Sequence, residues 1–535
     1  MKKIIAVLCA VWISISTVCA TSVEVRSARA LYAKKDYVGV MENLKKAIKE
    51  DSKDVEALFM LSVLYYEMND FDNAFKYIDK AIKYGKKDPN LPIYHGTKAS
   101  FYLESNDTVA ALKEYDFAIS LDPSNKYVLL DRAIMFRKMK QYDKSTAELK
   151  KVIAMEPNHQ AYRGVAQNEY LKENYKAAAD WYTTTLENFS DSYYTYILRG
   201  KSYLMMKEYD KAFDDAVSAI STKYFEEASH LLNELVDSTS FDSVMAKLKN
   251  RVEETPSKLI SENVIPNLYY NYGKVYEAID IYSSTLHSGE ANEYLACLYI
   301  ADCYLLAGEY DKALAYCDSA YAVDPKKMRC WRSKLRIYTV MGEYDKALAT
   351  ADVLLEDNSN SGVKRLSKKA LLDKKSLLDK KSEIKQLKGD LQGAMDDLEQ
   401  SCAIAEDNFD NLKKATLLYK MGRQKDGELI LNKLLEDQEF VSGRHAKYAY
   451  ALLGQKDKAR SLCETEIAED SDDYFNIACT YGVLGEYSKG LPYIRKSLEK
   501  QPTYIVDILV DFDMEEYKKL PEFWNLINEF RPKKR

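Results

Sequence analysis

At 535 residues the chain exceeds what one hydrophobic core supports, so its length calls for several domains or a tandem array. Its 77 Lys and Arg against 83 Asp and Glu leave a formal net charge of -6, which excludes a global attraction to nucleic acid or anionic membrane. Only 19 Gly and 11 Pro exclude a loop-rich β architecture and favour helices, while 43 Tyr place many rings where a hydroxyl meets water or a partner.

The first twenty residues have the pattern of a secretory signal: Lys2 and Lys3, an apolar stretch from Ile4 to Ile15, and small residues at Val18-Cys19-Ala20. Cleavage after Ala20 is the expected outcome. Cys19 also permits lipidation, although Ser16-Thr17-Val18 departs from the usual lead and no polar tether follows. The expected location is therefore the periplasm or cell envelope, or outside the cell, with membrane contact only through that cysteine.

Past this segment a short tetrad recurs. It reads Phe71-Asp72-Asn73-Ala74, Tyr142-Asp143-Lys144-Ser145, Tyr209-Asp210-Lys211-Ala212, Tyr310-Asp311-Lys312-Ala313, Tyr344-Asp345-Lys346-Ala347 and Tyr487-Ser488-Lys489-Gly490. The copies at 310 and 344 are 34 residues apart, as are Pro123 and Pro157. In 294–327, Cys297, Ile300, Ala301 and Tyr304 make one apolar helical face, Gly308 breaks the helix, and Ala313, Cys317 and Ala320 form the stripe of a second helix that ends at Asp324-Pro325. Alanine at 301 and 313 lets the two backbones approach.

These residues at this spacing resemble the tetratricopeptide repeat family. Unit 328–361 fits its pattern with Trp331, Leu335, Tyr338, Ala347, Ala351 and Leu354, and units 55–91 and 193–224 fit comparably. Starts near 21, 55, 92, 126, 159, 193, 225, 259, 294, 328, 362, 408, 440 and 471 give about fourteen units. The resemblance implies an all-α, right-handed superhelical solenoid of helical hairpins, whose first helices line a concave wall.

The expected organisation is a signal at 1–20, an array over 21–358, a second array over 359–502 and closing helices over 503–535. Units 225–258 and 259–293 lose the signature, with Pro266 inside an expected first helix. The run Asp357 to Gly362 reads as a break between blocks. A duplicated hexapeptide, 371–376 and 377–382, then cannot keep one apolar face, because six residues do not match the helical turn. Asp511 to Phe530, with Pro521, Phe523 and Trp524, resembles the closing helices of such arrays, which cover the last bare face.

Mapping the family's concave positions onto this chain gives three candidate binding sets. Tyr127 and Arg137, Arg163 and Gln167, and Tyr194 and Lys201 sit on three successive first helices and would line a polar, aromatic groove. Asn263, Asn267 and Asn271, with Tyr270, are spaced by four, and their amides suit an extended peptide backbone; Pro266 threatens to leave Asn263 outside the helix. Arg329, Arg332 and Arg336 form a cationic stripe suited to carboxylates. Segment 364–388 is basic and reads chiefly as a solvated helix extension.

Seven cysteines follow residue 20, an odd number without a CxxC, so they are expected to serve as small buried hydrophobes. His95, His159, His230, His287 and His445 are scattered, and no catalytic, metal or nucleotide motif occurs. The expectation is a non-enzymatic scaffold or adaptor, without cofactor or metal, that holds a protein or peptide and no nucleic acid. The alternative is a glycan-associated role in polysaccharide export, resting on the tyrosines.

Overall fold

A computed structural model describes residues 22–34, 36–68, 70–189, 193–221, 225–286, 290–360, 368–468 and 473–534, and all regular structure among them is helical. The expected signal segment with Cys19 lies outside the described residues, as do residues 361 and 362 of the expected break. No helix among the described residues is long and apolar enough to cross a membrane. The chain divides into two compact units, Met1–Val244 and Met245–Arg535.

Unit 1 is a run of hairpins: α1 (Val23–Ala33) with α2 (Tyr37–Glu50), α3 (Val55–Glu67) with α4 (Phe71–Tyr84), α5 (Leu91–Glu104) with α6 (Thr108–Leu121), and α7 (Lys126–Lys138) with α8 (Tyr142–Met155). There follow α9 (His159–Leu171) with α10 (Tyr175–Asn188), α11 (Tyr193–Met205) with α12 (Tyr209–Ser221), and α13 (Phe225–Ser238), while α14 (Phe241–Glu254) runs across the division. Each second helix packs on the first helix of the next hairpin, and first helices such as α5 and α7 also touch.

Unit 2 continues with α15 (Ile265–Asn271), α16 (Val275–Ser284), α17 (Glu290–Ala307), α18 (Tyr310–Val323), α19 (Arg329–Val340), α20 (Tyr344–Asn360), α21 (Lys368–Lys388) and α22 (Leu391–Cys402). It then runs through α23 (Asn408–Lys420), α24 (Gln424–Leu434), α25 (Gln438–Val441), α26 (Ala446–Leu452), α27 (Lys456–Ala468), α28 (Tyr474–Val483), α29 (Tyr487–Lys500), α30 (Tyr504–Val510) and α31 (Pro521–Phe530).

The hairpin interior follows the sequence pattern. Ala301 and Ala313 have no exposed surface, and Ile300, Cys317 and Ala320 are equally buried beside them. All seven described cysteines are free and buried. The turn between paired helices is a left-handed residue whose N–H, with that of its successor, closes the preceding helix: Gly308 donates to Leu305 and Glu309 to Tyr304. Unit 2 places glycine at its turns, as at Gly308 and Gly342. Unit 1 instead holds Asn106, Lys140, Glu173 and Lys207 at φ of 61, 59, 64 and 60°.

Pro266 does not start the helix of the degenerate unit. A π turn over Ile260–Val264 precedes it, and Ile265 N–H donates to Ile260 O, so a widened turn accommodates the residue that has no N–H. Asn263 therefore lies inside the helical run, contrary to the expectation that proline would exclude it. The duplicated hexapeptide behaves as its period requires. Leu377 and Leu378 of the second copy are buried, whereas Leu371 and Leu372 of the first are exposed. Leu377 and Ile384 pack with Ala347, Ala351 and Leu354, so the apolar layer crosses the expected break.

Candidate functional site

In unit 1 the fold brings Arg137 of α7, Arg163 of α9 and Tyr194 of α11 into one cluster. The Arg163 guanidinium lies 5.4 Å from the centre of the Tyr194 ring. Burial pushes both arginines below the usual guanidinium value, and mutual repulsion adds to this at Arg137. Neither guanidinium has a hydrogen bond or ion pair among the described residues; the groups acting on them are Tyr182, Tyr193 and Tyr194.

Tyr182 is the member that sequence reading missed. It is a buried residue of the second helix α10, and burial holds its hydroxyl well above the ordinary range, with Arg163 and Arg137 acting against the shift. The available signal was a tyrosine at a repeat position that the family fills with phenylalanine: a buried phenol needs a polar neighbour for its oxygen.

The other members of that predicted groove stand apart. Lys201 Nζ pairs with Glu234 at 2.8 Å. Tyr127 packs against the cluster that holds Leu58, Phe59 and Phe101, with Lys126 Nζ 5.4 Å from its ring centre. Gln167 is half-buried on the same helix as Arg163.

In unit 2 the two remaining candidate sets meet each other, and they meet the chain's own C-terminus. Arg336 Nη2 pairs with Asp507 Oδ1 of α30 at 3.2 Å, across 171 positions of sequence. Tyr270 of α15 shares this environment: burial raises its hydroxyl well above the ordinary value, Asp302 raises it further and Arg336 opposes them. Burial also pushes the Asp302 carboxyl up to about 6, against the attraction of Arg336 and Arg329. Arg329 is exposed and lies 5.4 Å from the Tyr299 ring centre, and Arg332 is exposed beside it. Asn271 Nδ2 donates to Asn267 Oδ1 at 3.2 Å, so these two amides serve one another.

The C-terminal segment does more than close the last hairpin. Ile505, Ile508, Met514, Tyr517, Phe523 and Ile527 are fully buried and share one cluster with Val275, Ile300, Ile337, Leu412 and Ala449 from successive hairpins of the unit. Asp513 accepts a hydrogen bond of 2.8 Å from the Tyr448 hydroxyl, and Lys420 Nζ lies 3.7 Å from the same carboxylate. Arg531 donates to the Tyr310 hydroxyl at 2.9 Å, and a Cβ at Gly273 would come within 3.2 Å of Pro502. Trp524, expected in the cap, instead stays 40% exposed and donates to Lys518 O.

Two further features bear on chemistry. Cys479, Asp511 and Asp513 have ligand atoms within 4.8 Å of one another, but Lys420 and Tyr448 already serve Asp513, whose backbone N–H donates to Asp511 Oδ1 at 2.7 Å. The basic helix α21 is neutralised within the fold: Lys375 pairs with Asp410 at 2.9 Å, Lys381 with Asp352 at 2.6 Å and Lys385 with Asp397 at 2.7 Å.

The chain is similar to several known proteins. A TPR repeat-containing protein of Methanocaldococcus jannaschii is 23% identical over 197 residues, which is 35% of this chain and 34% of the relative, so the chain spans about a third of that protein's length. Among solved structures, a tetratricopeptide repeat protein from Parabacteroides merdae ATCC 43184 is 17% identical, covering 46% of this chain and 98% of that one at a TM-score of 0.34. PilW, a type IV pilus biogenesis factor, is 19% identical, covering 40% and 100% at a TM-score of 0.35. Two family models, both described as tetratricopeptide repeat, match residues 31–92 and 304–370, and 130–193 and 267–328. Repeat models that match at four separate places, on hairpins built as described above, show that this chain carries tetratricopeptide repeats over these regions.

Proposed function

We propose that the protein is a scaffold of the cell envelope that holds a segment of a partner protein along the first-helix wall of unit 1. A tetratricopeptide repeat array serves protein–protein contact, and the choice of wall rests on one contrast. In unit 2 the C-terminal segment engages the first helices through Asp507 and its apolar residues, whereas in unit 1 the Arg137 and Arg163 guanidinium groups have no hydrogen bond or ion pair among the described residues. A preformed wall of this kind binds without a cofactor, because its side chains are already ordered by the packing beneath them. The envelope location rests on Lys2, Lys3, the apolar run Ile4–Ile15 and Val18-Cys19-Ala20.

The tyrosine content that suggested glycan binding has a use inside the fold. Tyr65 stacks on Tyr77, Tyr282 on Tyr299 and Tyr304 on Tyr316, with interplanar angles of 9, 28 and 25°. Rings engaged in this way have one face fewer for sugars, which favours the protein-binding reading. Crosslinking the mature protein in its own envelope fraction tests it. A protein adduct mapping to residues 126–205 supports the reading. Adducts carrying only polysaccharide, or a protein absent from that fraction, defeat it.

A further inference from the structure

We propose that residues 502–531 form a built-in clasp that closes unit 2 into one cooperative turn, so that its hairpins open together and its first-helix wall stays shut. The clasp is independent of what unit 1 binds.

In a solenoid each hairpin touches only its neighbours, and the ends open without the middle. Unit 2 departs from that plan, because one short segment reaches every hairpin from α15–α16 to α28–α29. Pro502 lies against the turn between α15 and α16, where a Cβ at Gly273 would come within 3.2 Å of it. Helix α30 packs on α17 and α19, and its Asp507 Oδ1 accepts from Arg336 Nη2 at 3.2 Å. The short turn Phe512–Met514 packs on α21 and α28. Asp513 in that turn accepts from the Tyr448 hydroxyl of α26 at 2.8 Å, and the Phe512 ring centre lies 3.2 Å from Lys420 Nζ of α23. Tyr517 donates to Ala478 O of α28 at 2.8 Å, and Arg531 reaches the Tyr310 hydroxyl at the start of α18 at 2.9 Å.

The buried cores of the two units differ accordingly. In unit 1 they divide into clusters that join neighbouring hairpins, such as Val25 to Leu64, Ala99 to Phe136 and Leu129 to Val165. In unit 2 one cluster runs from Val275 to Ile527 and takes in Ile300, Ile337, Leu412, Ala449 and Ala478. Ile505, Ile508, Met514 and Tyr517 sit within it, fully buried. Opening any joint between two hairpins of unit 2 draws a first helix off this segment and bares apolar surface that several hairpins share. The cost then falls on the whole unit instead of one joint, which is the condition for a single cooperative opening.

Native-state hydrogen exchange on the full chain tests the clasp. Ile508→Val should speed exchange about two- to tenfold. The factor should be similar over α17, α19, α23, α26 and α28, without decay along the sequence. Ile508→Ala should enlarge the same pattern. In unit 1, Val165→Ala should speed exchange in α9 and the adjoining hairpins and leave α3 to α5 unchanged. Acceleration confined to α28–α31, as for a plain end cap, overturns the clasp. So does an effect that fades stepwise from α28 back to α17, or no effect from either Ile508 variant. Each of those results leaves the reading of unit 1 as the partner wall standing.

Discussion

Replacing Gly490 with alanine tests how the C-terminal segment is seated on the last hairpin. Gly490 lies in α29, and a Cβ there would fall inside the Tyr517 hydroxyl and within 2.7 Å of its ring Cζ. Tyr517 is fully buried and donates to Ala478 O at 2.8 Å, so it cannot yield without leaving that carbonyl unpaired. Losing the buried bond costs about 1–3 kcal/mol, and forcing the ring aside costs about 1–3 kcal/mol. Alanine returns about 1 kcal/mol of helix propensity over glycine, leaving a net loss of about 1–5 kcal/mol. Urea unfolding followed by circular dichroism, with Ser488→Ala as an exposed propensity control, reads the loss. Hydrogen exchange over 503–530 locates it. Because the hydroxyl oxygen is the nearest atom, Gly490→Ala should cost less in a Tyr517→Phe background. A Gly490→Ala variant as stable as the parent, with unchanged exchange over 503–530, would refute the seat described here.

Further expectations follow from single groups. Lys447, 1% exposed, holds Glu466 at 2.8 Å and Asp473 at 2.7 Å, so Lys447→Ala should cost about 3–5 kcal/mol in urea unfolding by removing the buried cation that both carboxylates share. Lys140→Gly and Lys207→Gly should each raise stability by about 1 kcal/mol, because glycine takes the left-handed turn without a Cβ clash; a lower unfolding midpoint for both would contradict the turn geometry. Burial raises the Asp131 carboxyl from 3.8 to about 8, and one of its oxygens has no partner. Its contribution to stability is therefore full below pH 3.8 and is lost as pH rises through 8. Asp131→Asn should flatten that part of the stability profile, and an unchanged slope would rule the group out as its source.

The sequence made the hairpin legible because its constraints are local. Two backbones can meet only at small residues, so Ala301 and Ala313 announce the contact, and the turn must leave the helix at a left-handed residue, so Gly308 announces its place. The cysteines were legible for the same reason: their places in the repeat register are interior. What sequence could not show was the reach of the C-terminal segment. Asp507 meets Arg336 and Arg531 meets Tyr310 across 171 and 221 positions, and nothing periodic marks such pairs. The arginine stripe read as one surface, yet Arg336 is turned to the chain's own aspartate while Arg329 and Arg332 are exposed. Pro266 misled in the opposite sense, since a π turn before it keeps the helix whole and holds Asn263 within it. In unit 1 the candidate list contained three of the clustered residues. It lacked Tyr182, which comes from a second helix that a first-helix rule leaves out.

On the proposed reading, unit 1 presents an open first-helix wall while the wall of unit 2 is occupied from within. Site-specific photocrosslinking in the native organism separates the two directly, with the crosslinking side chain placed at Gln167 in unit 1 or at Asn267 in unit 2. The expected result is a discrete protein adduct from position 167, lost in the Arg137→Gln, Arg163→Gln background, and no intermolecular adduct from position 267. A partner captured from position 267 and none from position 167 would contradict it.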